Sequence, residues 1–227
     1  MIIYNPHNQN LLKERIKLAE ELLSQIPAKY CFITGSFLYK EKYNDIDVFV
    51  ISRTKKEIKI KNKMVKITVI DFNDLSSLFY HSISKSCIAK NILPSKQLKV
   101  TFSDYWNVIN EAIPTLMNEK DKFHKKVRFL ILYTEYFRTG EVLDTFQLSQ
   151  KINQFENYQE ILDYVKNELA EIVKENVKLS YAKRFFYTQA GNYKDLLEYN
   201  AQSFLYGLAH DAVTALRFEE ELTTFSV

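Results

Sequence analysis

Asp45 and Asp47 stand two residues apart at the head of the apolar run Ile46 to Ile51. In a strand, residues i and i+2 point to one face, so this spacing sets two carboxylates side by side in apolar surroundings. Such a pair repels itself unless a cation neutralises it. Hard divalent ions suit the task, and Mg2+ in particular is held by one or two carboxylates together with substrate phosphates. Eight residues upstream of Asp45, Gly35-Ser36 ends another apolar run, Tyr30-Cys31-Phe32-Ile33-Thr34. Without a side chain Gly35 lets the backbone approach a ligand, and Ser36 offers a hydroxyl and an N–H to phosphate oxygens. Asp71 closes the run Ile67-Thr68-Val69-Ile70. On a strand beside the first, its carboxylate is expected at the same edge, as a third metal ligand or as the base that takes a proton from an acceptor hydroxyl.

These residues need a sheet to hold them, and the periodicities supply one. Leu11, Leu12, Ile16, Leu18, Ala19, Leu22 and Leu23 recur at helical intervals over Gln9 to Gln25, with Pro27 as a stop. Tyr30 to Thr34 reads as a buried strand entering a turn at Gly35-Ser36. Ile46 to Ile51 is apolar on both parities, as a central strand covered on both faces must be. Ile58 and Ile60 alternate with lysines, the pattern breaks at Asn62, and it resumes over Lys66 to Phe72, which predicts a hairpin returning as a third strand. Beyond Ser103 strand-like runs nearly vanish. Helical spacing links Trp106, Ile109, Ile113 and Leu116, with Pro114 as a kink, then Phe123 to Phe137 closed by Gly140. Leu143 to Ile152 predicts a short helix, Ile161 to Val177 a long one, Tyr181 to Ala190 one ending at Gly191, and Leu196 to Leu216 a last one containing Gly207, a site of close helix packing.

Composition removes several classes. The 227 residues hold four glycines, at 35, 140, 191 and 207, too few and too scattered for a P-loop, a dinucleotide fingerprint or a collagen repeat. His7, His81, His124 and His210 lack ligand spacing, and Cys31 and Cys87 lie far apart, which argues against zinc and for reduced structural thiols. No apolar run reaches the roughly 20 residues that span a bilayer, and Met1 to Asn10 carries no signal or lipidation pattern, so a cytoplasmic protein without membrane contact is expected. Up to Phe102 there are 17 Lys and Arg against 9 Asp and Glu; beyond it, 14 against 19, giving +8 and −5 within the net +3. The excess gathers in Arg53, Lys55, Lys56, Lys59, Lys61, Lys63 and Lys66, opposed by Glu57. Such a run attracts polyphosphate or nucleic acid, or guards a strand edge against pairing.

Ile33-Thr34-Gly35-Ser36, eight intervening residues, Asp45-Ile46-Asp47-Val48 and the later Asp71 resemble the signature of the polymerase-β-like nucleotidyltransferase superfamily. The resemblance covers about Pro27 to Phe72. Phe37-Leu38-Tyr39 departs from the Ala-Arg-Gly common after Gly-Ser in the smallest members. It implies an α/β (α+β) nucleotidyltransferase-like domain with a mixed sheet over residues 1–95, followed by an all-α helical bundle over 96–227. It implies a reaction in which Mg2+, two ions of it, and a nucleoside triphosphate deliver a nucleoside monophosphate to a hydroxyl of RNA, protein or a small molecule, with release of pyrophosphate. Gly35 and Ser36 would hold the triphosphate, and Asp45, Asp47 and Asp71 the metal. Alternatives are a catalytically idle member that binds nucleotide or nucleic acid, and a toxin of a toxin–antitoxin or phage-defence pair, a role some relatives have.

Lys178, Lys183 and Arg184 are weaker candidates for a nucleotide contact, since charges on helices are usually only solvated. Tyr181, Phe185, Phe186 and Tyr187 read as core before base-stacking platform, and His124 and His210, inside helical stretches, as packed or surface side chains.

Overall fold

A computed structural model describes residues 1–53, 62–178 and 199–224 of the chain. Within them the chain is α+β, with one mixed five-stranded sheet and a larger share of helix. It divides into two compact units, one of Met1–Val100 with Val142–Gln150, the other of Thr101–Glu141 with Lys151–Val227.

The first unit opens with strand β1 (Ile2–Tyr4) and helix α1 (Gln9–Ser24), which starts where the Asn8 side chain accepts from the Leu11 N–H. Strands β2 (Tyr30–Thr34), β3 (Ile46–Ile51), β4 (Val65–Ile70) and β5 (Cys87–Ala89) follow, with a 3-10 turn over Ser36–Leu38, another over Phe72–Ser76, and helix α2 (Leu78–Lys85). The spatial order is β1-β5-β2-β3-β4. All neighbours are antiparallel except β3 and β4, which run parallel.

The strand alternation sorts side chains into two cores. Cys31, Ile33, Ile46, Val48 and Val50 pack with Ala19, Leu22 and Leu23 of α1. Phe32, Phe49, Ile51 and Ile70 pack with Leu75, Tyr80 and Ile83 from the second 3-10 turn and α2. Cover on both faces explains why β3 is apolar on both parities, as its sequence predicts. Burial raises the Cys31 thiol to about 11 and the Cys87 thiol to about 12, in keeping with reduced, structural cysteines. Strands β1 and β5, three residues each, are too short for periodicity to reveal.

The second unit contains α3 (Phe102–Glu119), α4 (Lys125–Thr139), α6 (Tyr158–Asn176) and α7 (Tyr199–Thr224), which pack on one another through Ile109, Ile113, Leu130, Ile161, Val165 and Leu169. Thr101 and Asp104 close a reciprocal capping box on α3, and Pro114 lies inside that helix without ending it. Gly140 closes α4 at φ +73°, the left-handed cap its place predicts. The short α5 (Thr145–Asn153) begins in the first unit, so the chain returns to that unit after α4. Gly207 is corrected: it is exposed, and a Cβ there would meet nothing within 4 Å, so it marks no close packing. The helix expected over Tyr181 to Ala190, Gly191 and the first arm of the expected hairpin lie outside the described residues. Among those residues no helix is long and apolar enough to cross a membrane.

Candidate functional site

Three adjacent strands bring the candidate residues together. Thr34 at the end of β2 pairs with Asp47 of β3, and Asp47 pairs with Lys66 of β4. Residues opposite one another in a sheet share a face, so Thr34, Asp47 and Lys66 form a row across the sheet, on the side of Phe32, Phe49 and α2. Asp45 precedes β3 with the parity of Asp47. The i, i+2 spacing thus sets both carboxylates toward one side, and both are half-buried.

Gly35 completes this edge. Its backbone lies at φ +85°, ψ −160°, a region open essentially only to glycine. A Cβ on Gly35 would stand 3.2 Å from Asp47 Oδ2. The missing side chain therefore has two local reasons, the turn and the room left beside a carboxylate. Ser36 follows, half-buried, at the start of the 3-10 turn in which the Gly35 carbonyl accepts from Leu38 N–H and the Ser36 carbonyl from Tyr39 and Lys40 N–H.

Lys66 supplies a positive charge. Its ammonium donates to Asp45 Oδ2 at 2.5 Å, and the hydrogen bond to Asp45, with the charges of Asp45 and Asp47, raises its pKa. Thr34 is tied inward: its hydroxyl donates to the Ser86 carbonyl at 2.8 Å.

Asp71 is not part of this group, which corrects the expectation of three converging carboxylates. Because β4 runs parallel to β3, with Ile46 opposite Val65 and Ile51 opposite Ile70, Asp71 follows the far end of the sheet. Five residues separate it from Lys66, about 16 Å of strand. There its carboxylate accepts from Asn73 N–H at 2.8 Å and caps the second 3-10 turn. A strand antiparallel to β3 would have brought Asp71 to Asp45 and Asp47; the parallel strand puts Lys66 there instead. Among the described residues no three His, Cys, Asp or Glu side chains gather as a metal cage.

The remaining pair still fits a hard cation. Its donors are carboxylate oxygens, they share a face, and Gly35 leaves open the space that a Cβ would fill beside Asp47. Lys183 and Arg184 lie outside the described residues, as do Lys55, Lys56, Lys59 and Lys61 of the basic run; Lys178 is exposed.

Two residues of consequence escape the sequence reading. Lys66 is hidden inside a basic run, and only the parallel register gives it a partner. Arg15 sits on α1 four residues after Leu11 and four before Ala19, a polar member of a buried stripe. Its guanidinium donates to the carbonyls of Phe37 and of Glu41, the latter at 2.8 Å, and lies over the Tyr43 ring at 4.5 Å. It thereby fastens the loop that joins Gly35-Ser36 to Asp45. No family model matches the chain, and neither a curated protein nor a solved structure is found to be similar to it.

Proposed function

We propose that the first unit is a Mg2+-dependent nucleotidyltransferase site that takes a nucleoside triphosphate and passes its nucleoside monophosphate to an acceptor hydroxyl of RNA, protein or a small molecule. The observation that carries this reading is the apposition of Gly35 and Asp47: a glycine-only turn opens directly onto a carboxylate whose companion, Asp45, shares its side. Asp45 and Asp47 would hold the ion, and a bound Mg2+ supplies Lewis-acid polarisation of phosphoryl oxygens. Gly35 admits the triphosphate close to the backbone, and Ser36 offers its hydroxyl to a phosphate oxygen. Arg15 keeps the intervening loop in place from behind. The role of base does not fall to Asp71, which caps a turn at the far end of β4.

Incubation with Mg2+ and NTPs labelled at the α-phosphate tests this directly. Label is expected on an acceptor, and the double substitution Asp45→Asn with Asp47→Asn is expected to lower transfer at least a thousandfold. Undiminished transfer in that variant removes the assignment. A second reading, a catalytically idle nucleotide-binding member, is favoured by the absence of Asp71 from the group and by the ion pair of Lys66 with Asp45. Mg2+-dependent NTP binding by calorimetry, without transfer to any fraction offered, would select it.

A further inference from the structure

Glycine has the widest choice of backbone conformations, so a turn built on Gly35 at φ +85° depends on its neighbours to fix it. Arg15 holds the Phe37 carbonyl from α1, and the segment Val142–Gln150, part of the same compact unit, holds the turn from far along the sequence. Thr145 meets both flanks of that turn. Its hydroxyl lies 3.4 Å from the hydroxyl of Thr34, the residue before Gly35, and its carbonyl accepts at 3.4 Å from the hydroxyl of Tyr39, the residue that ends the 3-10 turn. Phe146 adds an edge-on contact with the Tyr39 ring at 5.2 Å.

Side chains fasten the segment in turn. Ser82 and Lys85 of α2 donate to the carbonyls of Leu143 and Val142, each at 2.6 Å. Asp144, with 1% of its surface exposed, accepts through Oδ1 from the N–H groups of Phe146 and Gln147, and its Oδ2 lies 2.7 Å from His7 Nε2. A carboxylate so buried depends on its partners, and His7, just after β1, ties it to the start of the chain. The His7 ring also stacks on Phe146 at 4.3 Å.

We propose that His7 and Asp144 are positioning residues, a latch that holds Val142–Gln150 as a strap against the turn and, through Thr145, sets Gly35-Ser36 for phosphate oxygens. The strap acts on the turn whatever the ligand; that the ligand is a triphosphate rests on the reading above. A turn already fixed binds without first being ordered, so the latch adds to triphosphate affinity and not to the hold of Asp45 and Asp47 on an ion.

Hydrogen exchange and the binding of inorganic tripolyphosphate with Mg2+, both on the full chain, test the two halves of the proposal. His7→Ala removes the latch and leaves Asp144 capping α5. Exchange is expected to quicken over residues 142–150 and 35–40 together, with β3 unchanged. Tripolyphosphate is expected to bind about tenfold more weakly, the equivalent of one hydrogen bond to a charged group. Mn2+ alone, followed through loss of the free-ion electron paramagnetic resonance signal, should bind as before. His7→Gln, whose amide can still donate to Asp144, is expected to restore most of the protection and of the affinity. Should His7→Ala not fold, His7→Phe, which keeps a ring but no donor, takes its place. Quickening confined to 142–150, or none at all, overturns the latch. Equal losses of tripolyphosphate and Mn2+ binding, without rescue by His7→Gln, overturn it as well. An unaltered chain that binds no tripolyphosphate overturns the triphosphate reading and the ligand half of this inference, while exchange still decides the strap.

Discussion

Gly35 and Asp47 face each other across the β2–β3 pair so closely that a methyl group on the glycine would lie 3.2 Å from the carboxylate oxygen Oδ2. Thr34, the residue before Gly35, is the strand partner of Asp47, so the turn begins beside that carboxylate. The backbone conformation and the carboxylate thus impose the same residue for independent reasons.

Gly35→Ala is therefore expected to cost about 1–3 kcal/mol, the range for backbone held in sparsely populated regions. Urea denaturation measures the loss. The same variant should weaken Mn2+ binding, because the added methyl pushes against Asp47 Oδ2. An unchanged midpoint would mean that the turn relaxes to negative φ without effect.

Arg15 is buried, with 9% of its surface exposed, and its guanidinium serves two loop carbonyls and two aromatic rings, Phe37 and Tyr43. Replacing it by Met leaves the stem but orphans the carbonyls. A loss of about 1.5–3 kcal/mol is expected from hydrogen bonds to a charged group. Hydrogen exchange should quicken over residues 36–43 more than over β3. Equal protection in both segments would show that the loop holds itself.

Glu135 of α4 offers a pH test in the second unit. Burial by itself raises its carboxyl, but hydrogen bonds from Tyr164, Arg138 and Lys151 outweigh that effect and hold it below the ordinary carboxylate range. A depressed folded value contributes stability above the unfolded value, roughly pH 4.3, and that contribution is lost as pH falls through the folded value. The chain should thus lose stability on acidification below about pH 4.3 more steeply than Glu135→Gln. The variant should be less stable by about 1–3 kcal/mol at pH 7, with its polar neighbours left short of an anion. Thermal melts between pH 3 and pH 7 compare the two, and parallel curves would remove the role assigned to Glu135.

Much of the first unit is legible in its sequence because its signals are local. Helix α1, strands β2 and β3 and the Gly35-Ser36 turn each follow from side-chain period or from a residue that suits one backbone conformation. The i, i+2 spacing alone sets Asp45 and Asp47 to one side, whatever the neighbouring strands do. The three-residue strands β1 and β5 are different, since a run that short has no measurable period, and only pairing with neighbours defines them.

What the amino-acid sequence could not decide is direction. Residues Val65 to Ile70 make the same apolar strand whether they return antiparallel or parallel, because side-chain period is blind to the sense of the chain. Only the tertiary pairing of Ile46 with Val65 and Ile51 with Ile70 sets that sense. It removes Asp71 to the far end of the sheet and puts Lys66 against Asp45. Two carboxylates and a glycine belong to the sequence; the ammonium that meets Asp45 belongs to the fold.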